Sequence, residues 1–271
     1  MARVMDDFFR QHVAEQPDQE ALVYKDRRFT YRQYDEITDR VAMGLLGIGV
    51  KRGDRVGIYI PNWPEFIFTY LGVAKIGAVA VPVSWRFTAQ EIKFVLDDAG
   101  ISTLVMAGGF MGMDFVQNLS AVRKDLPLLK KVVILEADKA ESGMIPWEQL
   151  LEEPGPALEQ AQAAVVPDDP MLFLYTSGTT GVPKAAMLTH KNLISYTNGQ
   201  IAASDYGKGH TLLLNIPLNH VGGAVMAVIA TLNSGNKLVI MDMFVPEETL
   251  QVIEKERVTI IGQVPAQYAL E

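Results

Sequence analysis

An α/β architecture, two mostly parallel sheets flanked by helices, is what this 271-residue chain predicts. Three observations carry that expectation. Short apolar runs such as Arg55-Val-Gly-Ile-Tyr-Ile60 recur with the length and composition of buried strands. Between such runs, apolar residues return at helical spacing, as at Tyr34, Ile37, Val41 and Leu45. Glycines, prolines and capping residues mark the change from one rhythm to the other. Elements alternating in this way fold as βα units around a largely parallel sheet covered on both faces.

The elements follow in order. Val23-Tyr24 and Arg28-Phe29-Thr30-Tyr31 make a short hairpin around the polar turn Lys25-Asp26-Arg27. Thr30 and Gln33 have capping-box spacing and open a helix that Gly47 and Gly49 stop. After the strand at residues 55–60, Asn62 and Pro64 open a second helix that ends near Gly77. Val79 to Val83 reads as a strand, and Thr88 with Glu91 caps a third helix. Ile101 to Met106 and Val132 to Leu135 are further strands.

Glu152 to Pro170 breaks the rhythm: it is rich in Pro, Ala, Gln and acid, and reads as a linker or an exposed crossing segment. Strands then fall near Met171-Tyr175, Ala185-Leu188, Thr211-Asn215, Lys237-Ile240 and Val258-Ile261. Helices fall near Lys191-Ala203, Val221-Leu232 and Pro246-Glu256. The expected division is a first α/β lobe with an amino-terminal hairpin, residues 1–160, and a second, incomplete lobe, residues 161–271. Another helix opens at Ala266 and the chain stops five residues later, so a carboxy-terminal part is expected beyond it. The uncovered sheet edge would favour either pairing of two copies into a homodimer or limited solubility.

Composition narrows the function. Apolar residues make up 49% and charged residues 21%, ordinary values for a globular chain. A net charge of -8 gives no general attraction to nucleic acid, so any polyanion must be held by a local device. Without cysteine there is no disulfide, thiolate nucleophile or thiolate-bound zinc. No pair of histidines has metal-ligand spacing either, and no protein-bound zinc is expected. The acidic start lacks the apolar stretch of a secretory peptide. The apolar run Val221-Leu232 falls short of the roughly 20 residues that cross a bilayer. The expectation is a cytoplasmic protein without a transmembrane segment.

The local device is Tyr175-Thr-Ser-Gly-Thr-Thr-Gly-Val-Pro-Lys184. Its glycines let backbone N–H groups approach an anion closely. Thr176, Ser177, Thr179 and Thr180 offer hydroxyl donors, and Lys184 a point charge. A Ser/Thr/Gly-rich surface turn is the plainer alternative, but four hydroxyls in five positions exceed what a turn needs. Position adds weight, because the loop follows an apolar strand, where α/β sheets place ligands. It is not a Walker A loop, since Val182 and Pro183 separate Gly181 from Lys184 and Ala185 follows.

This stretch resembles the signature loop of the adenylate-forming superfamily, which includes acyl- and aryl-CoA ligases and peptide-synthetase adenylation domains. The continuation Ala185-Ala-Met-Leu-Thr-His190-Lys-Asn-Leu193 and the later Asn215-Ile-Pro-Leu-Asn-His220-Val-Gly-Gly223 are similar to that family too. Earlier matches are Phe29-Thr-Tyr31, Gly53-Asp54-Arg55-Val56, Pro61-Asn62, Gly77-Ala78 and Val81-Pro82-Val83. The resemblance runs nearly end to end, in the family's order. Ala185 departs from it, standing where the family usually has glycine. The family's later motifs for ribose and Mg²⁺, and its catalytic lysine, would lie beyond residue 271.

The resemblance implies ATP-dependent activation of a fatty or aryl acid to an acyl-adenylate, followed by transfer to CoA. Thr176, Ser177, Gly178, Thr179, Thr180, Gly181 and Lys184 would hold the β- and γ-phosphates, and Thr176 or a neighbouring hydroxyl would help hold Mg²⁺. His220, with Gly222 and Gly223, would meet the carboxylate end of the acid, the glycines leaving room for it to approach. The plainer alternative for His220 is a histidine that caps or packs locally at a helix start. Loading of a carrier protein instead of CoA, and a non-catalytic module that keeps the fold, are the competing functions. His12 and His210 lie in polar, exposed-looking stretches, and His190 reads as the cap of the helix at Lys191.

Overall fold

A computed structural model describes residues 3–176, 183–204 and 206–270. It opens with helix α1 (Asp6–Glu15), strands β1 (Glu20–Tyr24) and β2 (Arg27–Thr30), and helix α2 (Tyr31–Gly47). There follow β3 (Arg55–Tyr59), α3 (Pro64–Lys75), β4 (Val79–Pro82), α4 (Ala89–Asp98) and β5 (Thr103–Met106). The small strands β6 (Gly109–Phe110) and β7 (Met113–Asp114) precede α5 (Phe115–Val122), β8 (Lys131–Ile134), β9 (Ile145–Pro146) and α6 (Trp147–Leu150). Then come α7 (Pro156–Ala164), β10 (Pro170–Thr176), β11 (Lys184–Thr189) and α8 (His190–Ala203). Strand β12 (Thr211–Leu214), a π-helical segment (Gly222–Ile229) and α9 (Ala230–Ser234) come next. The chain then runs through β13 (Lys237–Ile240), α10 (Pro246–Glu256), β14 (Ile260–Ile261) and α11 (Pro265–Tyr268).

By contact the residues group into two compact units: residues Met1–Glu36, Asn62–Ile67 and Lys191–Glu271, and residues Ile37–Pro61 with Phe68–His190. This grouping interleaves the chain, unlike the sequence division at residue 160. The first unit holds a five-stranded sheet in the order β14-β12-β13-β1-β2. Its first four strands are parallel, and β2 returns antiparallel along β1. Tyr24 and Leu214 both stand opposite Ile240, so the loops after β1, β12 and β13 leave from one edge. Val23, Leu213, Val239 and Met241 form a buried cluster, and Val252 and Ile253 of α10 close over it. The second unit holds a seven-stranded sheet, β11-β10-β4-β3-β5-β8-β9, parallel except for the β10–β11 pair. Strands β4 and β5 are buried along their whole length, the environment that favours continuous apolar runs.

Local signals explain the boundaries. Thr88 accepts from the Glu91 N–H while the Glu91 carboxylate accepts from the Thr88 N–H, a complete capping box at α4. Thr30 and Gln33 make the same exchange at α2. Gly77, after α3, and Gly235, after α9, turn the chain with φ of +68° and +75°, a region side-chain-bearing residues rarely enter. Two expectations need correction. The stretch read as a linker contains α7, which starts at Pro156 with its preset φ and buries Leu158. His12 is buried, not exposed: α1 packs on α9, and the imidazole Nε2 meets the Leu232 carbonyl at 2.7 Å.

Candidate functional site

In the second unit, the polar loop closes a β-hairpin instead of opening a helix. Strands β10 and β11 pair antiparallel, with Thr176 opposite Lys184 and Tyr175 opposite Ala185. The register thus puts a hydroxyl and an ammonium side chain on the two posts of the loop, both on exposed residues. The Thr176 hydroxyl also lies 3.4 Å from the Lys184 carbonyl oxygen. Ser177, Gly178, Thr179, Thr180 and Gly181 lie outside the described residues. Ala185, where the related pattern has glycine, continues β11 in regular pairing.

The loop end of the hairpin is anchored by Tyr175, whose hydroxyl donates to Asp98 at 2.6 Å at the end of α4. Its ring also packs edge-on against Phe94. Burial, reinforced by the Asp98 carboxylate, pushes the phenol's pKa well above its usual value, so Tyr175 stays a donor. Sequence reading gave Asp98 no part. Its signal is only that Phe94 and Asp98 share a face of α4, four residues apart.

The first unit carries His220. Strand β12 ends at Leu214, and residues 215–219 connect it to the helical segment at His220. The His220 N–H donates to the Pro217 carbonyl at 3.2 Å, and the His220 carbonyl accepts from the Ala224 N–H at 2.8 Å. The histidine is therefore fixed through its backbone. Its imidazole is exposed and makes no hydrogen bond among the described residues, so it is not a local cap.

Gly223 has a structural cause besides the room for a ligand that was expected of it. A β carbon on Gly223 would stand 2.3 Å from the Pro217 carbonyl oxygen and 2.8 Å from the Leu218 Cα. The space freed there is filled by the chain's own backbone. At Gly222 the nearest atom to a β carbon would be Cδ1 of Ile216, at 2.7 Å. The apolar stretch after them is not a regular α-helix either: residues 222–229 are wound as a π-helix, a form that is rare and concentrated at functional sites.

Two buried asparagines were missed as site residues. Asn62 hydrogen-bonds to the connection that carries His220. Asn215, at 2% exposure, has neither its Oδ1 nor its Nδ2 paired among the described residues. Of the other histidines, His190 is buried and begins α8 itself, and His210 meets Thr259 Oγ1 at 3.0 Å.

The chain matches the sequence profile of AMP-binding enzymes over residues 9–270. It is 32% identical over 242 residues to the long-chain-fatty-acid–CoA ligase FadD13 of Mycobacterium tuberculosis, covering 89% of this chain and 45% of that protein. It is 31% identical over 263 residues to indoleacetate–CoA ligase of Aromatoleum aromaticum, covering 97% of this chain and 50% of that one. The inhibitor-bound crystal structure of the N-terminal domain of FACL13 from M. tuberculosis superposes with a TM-score of 0.84 at 30% identity, covering 98% of this chain and 64% of that one. The chain spans about half the length of the curated relatives it matches. No described helix is long and apolar enough to cross a membrane.

Proposed function

This chain belongs to the AMP-binding enzyme family, and on that premise we propose that the whole protein activates a fatty or aryl carboxylic acid with ATP and passes the acyl group to CoA. A carboxylate oxygen attacks the α-phosphorus and pyrophosphate leaves with the bond it breaks. The thiol sulfur then attacks the acyl carbon and AMP leaves, giving the thioester. Such chemistry is mainly positioning and charge neutralisation.

The observation that carries this reading is the hairpin register, Thr176 facing Lys184 across the mouth of a Ser/Thr/Gly loop. On this reading the posts and the loop's N–H and hydroxyl groups, with Ser177, Gly178, Thr179, Thr180 and Gly181, hold the departing pyrophosphate. Mg²⁺ would neutralise phosphate charge, and the exposed Thr176 hydroxyl is a hard oxygen ligand suited to it. His220, exposed and without a side-chain hydrogen bond among the described residues, would receive the acid's carboxylate, and a histidine there suits an acyl or aryl acid rather than an amino acid. CoA is the proposed acceptor, and a carrier-protein thiol is the alternative.

The test is pyrophosphate release by the whole protein against a panel of acids, followed by acyl transfer to CoA or to a carrier protein. Lys184→Met should lower release by about ten- to a hundredfold, since a charge-assisted contact is worth about 1.5–3 kcal/mol. The thermal midpoint should hold, because Lys184 is exposed. Release unchanged by this substitution would remove the loop from the reaction.

A further inference from the structure

Residues 215–219, which present His220, form neither strand nor helix, so something other than a ladder must set their path. Asn62, 3% exposed and two residues ahead of α3, supplies it. Its Nδ2 donates to the Ile216 carbonyl at 2.9 Å and to the Met241 carbonyl, just past β13, at 3.2 Å. Its Oδ1 accepts from the Leu218 N–H at 2.9 Å. One carboxamide therefore grips the backbone on both sides of Pro217 and fastens it to the end of the neighbouring strand. Proline has no N–H of its own to give, and its carbonyl is the group that receives the His220 N–H and lies against Gly223.

We infer that Asn62 is the positioning residue of the acid subsite, setting where the His220 imidazole stands by clamping Ile216 and Leu218. This rests on the reading that His220 meets the carboxylate. An apolar side chain of the same shape would leave two carbonyls and one N–H without their partner, and the connection would be free to shift. Displacements near 1 Å at a reacting group cost on the order of a hundredfold in rate.

The experiment measures pyrophosphate release by the whole protein with acid and ATP varied separately, alongside thermal midpoints. The variants are Asn62→Ala, Asn62→Asp, His220→Ala and the double variant Asn62→Ala/His220→Ala. Asn62→Ala should lower kcat/KM for the acid by about ten- to a hundredfold. The KM for ATP should stay within roughly twofold, a split that simple loss of folded protein does not produce. In the His220→Ala background the Asn62 change should add nothing further to the acid defect. Asn62→Asp keeps the shape and the acceptor for Leu218 but turns a carboxylate toward two carbonyls. Its acid defect, relative to wild type at the same pH, should shrink as pH falls and a proton restores one donor.

An Asn62 defect equally large without His220, or equal for acid and ATP, overturns the inference while the His220 reading stands. Unchanged acid use in His220→Ala alone overturns the His220 reading, and the inference with it. Should Asn62→Ala fail to fold, Asn62→Asp carries the same comparison: an acid defect that does not change with pH overturns the inference.

Discussion

At the scale of single residues, two buried polar side chains act in opposite ways. His12 accepts its place only as the neutral ring: Nε2 donates to the Leu232 carbonyl, while Nδ1 is buried with no partner among the described residues. Burial accordingly lowers its pKa below the ordinary 6.5, against smaller raising effects from Leu232 and Glu15. A histidine depressed in the folded state contributes its stability in full above the unfolded pKa and loses it as pH falls toward the folded one. Between pH 6.5 and lower values the wild-type thermal midpoint should therefore drop more steeply than that of His12→Gln, whose amide can still donate to Leu232. Parallel pH curves for the two proteins would clear His12 of any such role. Asn215 has no partner for either end of its carboxamide among the described residues, and an unmet buried polar group costs about 1–3 kcal/mol. Asn215→Leu should raise the midpoint by a few degrees, and a fall would mean that a buried water completes the carboxamide.

Elements show what could be read in advance. The capping pairs Thr88/Glu91 and Thr30/Gln33 were legible because a cap is a local exchange of hydrogen bonds at fixed spacing. Buried parallel strands were legible because both faces demand apolar residues, so Lys237–Ile240 announces itself. The polar loop was legible as chemistry, yet its hairpin setting was not, because pairing of β10 with β11 is a choice between non-local partners. Helix α7 was missed because its short apolar face buries a single leucine. The π-helical winding of Gly222–Ile229 has no period that a sequence displays. Asn62 read only as the opener of a helix, since its partners are 154 and more residues away. The glycines at this element separate cleanly by substitution. Gly223→Ala drives a β carbon into backbone at 2.3 Å and should cost about 1–3 kcal/mol in stability, with acid use impaired as the His220 connection shifts. Gly222→Ala meets only the end of the flexible Ile216 side chain and should be near neutral. Equal midpoints for the two variants would contradict the packing described at Pro217.

For the whole molecule, the order of strands in the sheets decides which pieces of chain can fold. Strand β1, near the amino terminus, lies between β13 and β2, and its partner β13 comes more than 200 residues later. Strand β10 pairs with β4 on one side and with β11 on the other. A cut at residue 160 therefore takes β1 and β2 from β13, and β4 from β10. The piece 161–271 would keep three parallel strands, β14, β12 and β13, with the edge of β13 bare. It would also lose the groups that the early chain supplies: Asn62 beneath the His220 connection, and Arg28, which holds the nearly buried Glu256 of α10 at 2.6 Å. Glu256 would then keep only Lys237, at 3.5 Å, and losing the closer guanidinium from a nearly buried carboxylate is costly. Tyr24, whose phenol donates to Asp242 just after β13, would be lost as well. Pieces 1–160 and 161–271 made separately should each melt without a cooperative transition. Made together, they should recover part of the near-ultraviolet circular dichroism of the intact chain. If piece 161–271 alone melts cooperatively near the midpoint of the intact chain, the contribution of β1 to that sheet is dispensable, and the sequence division at residue 160 describes the folding units better than contact does.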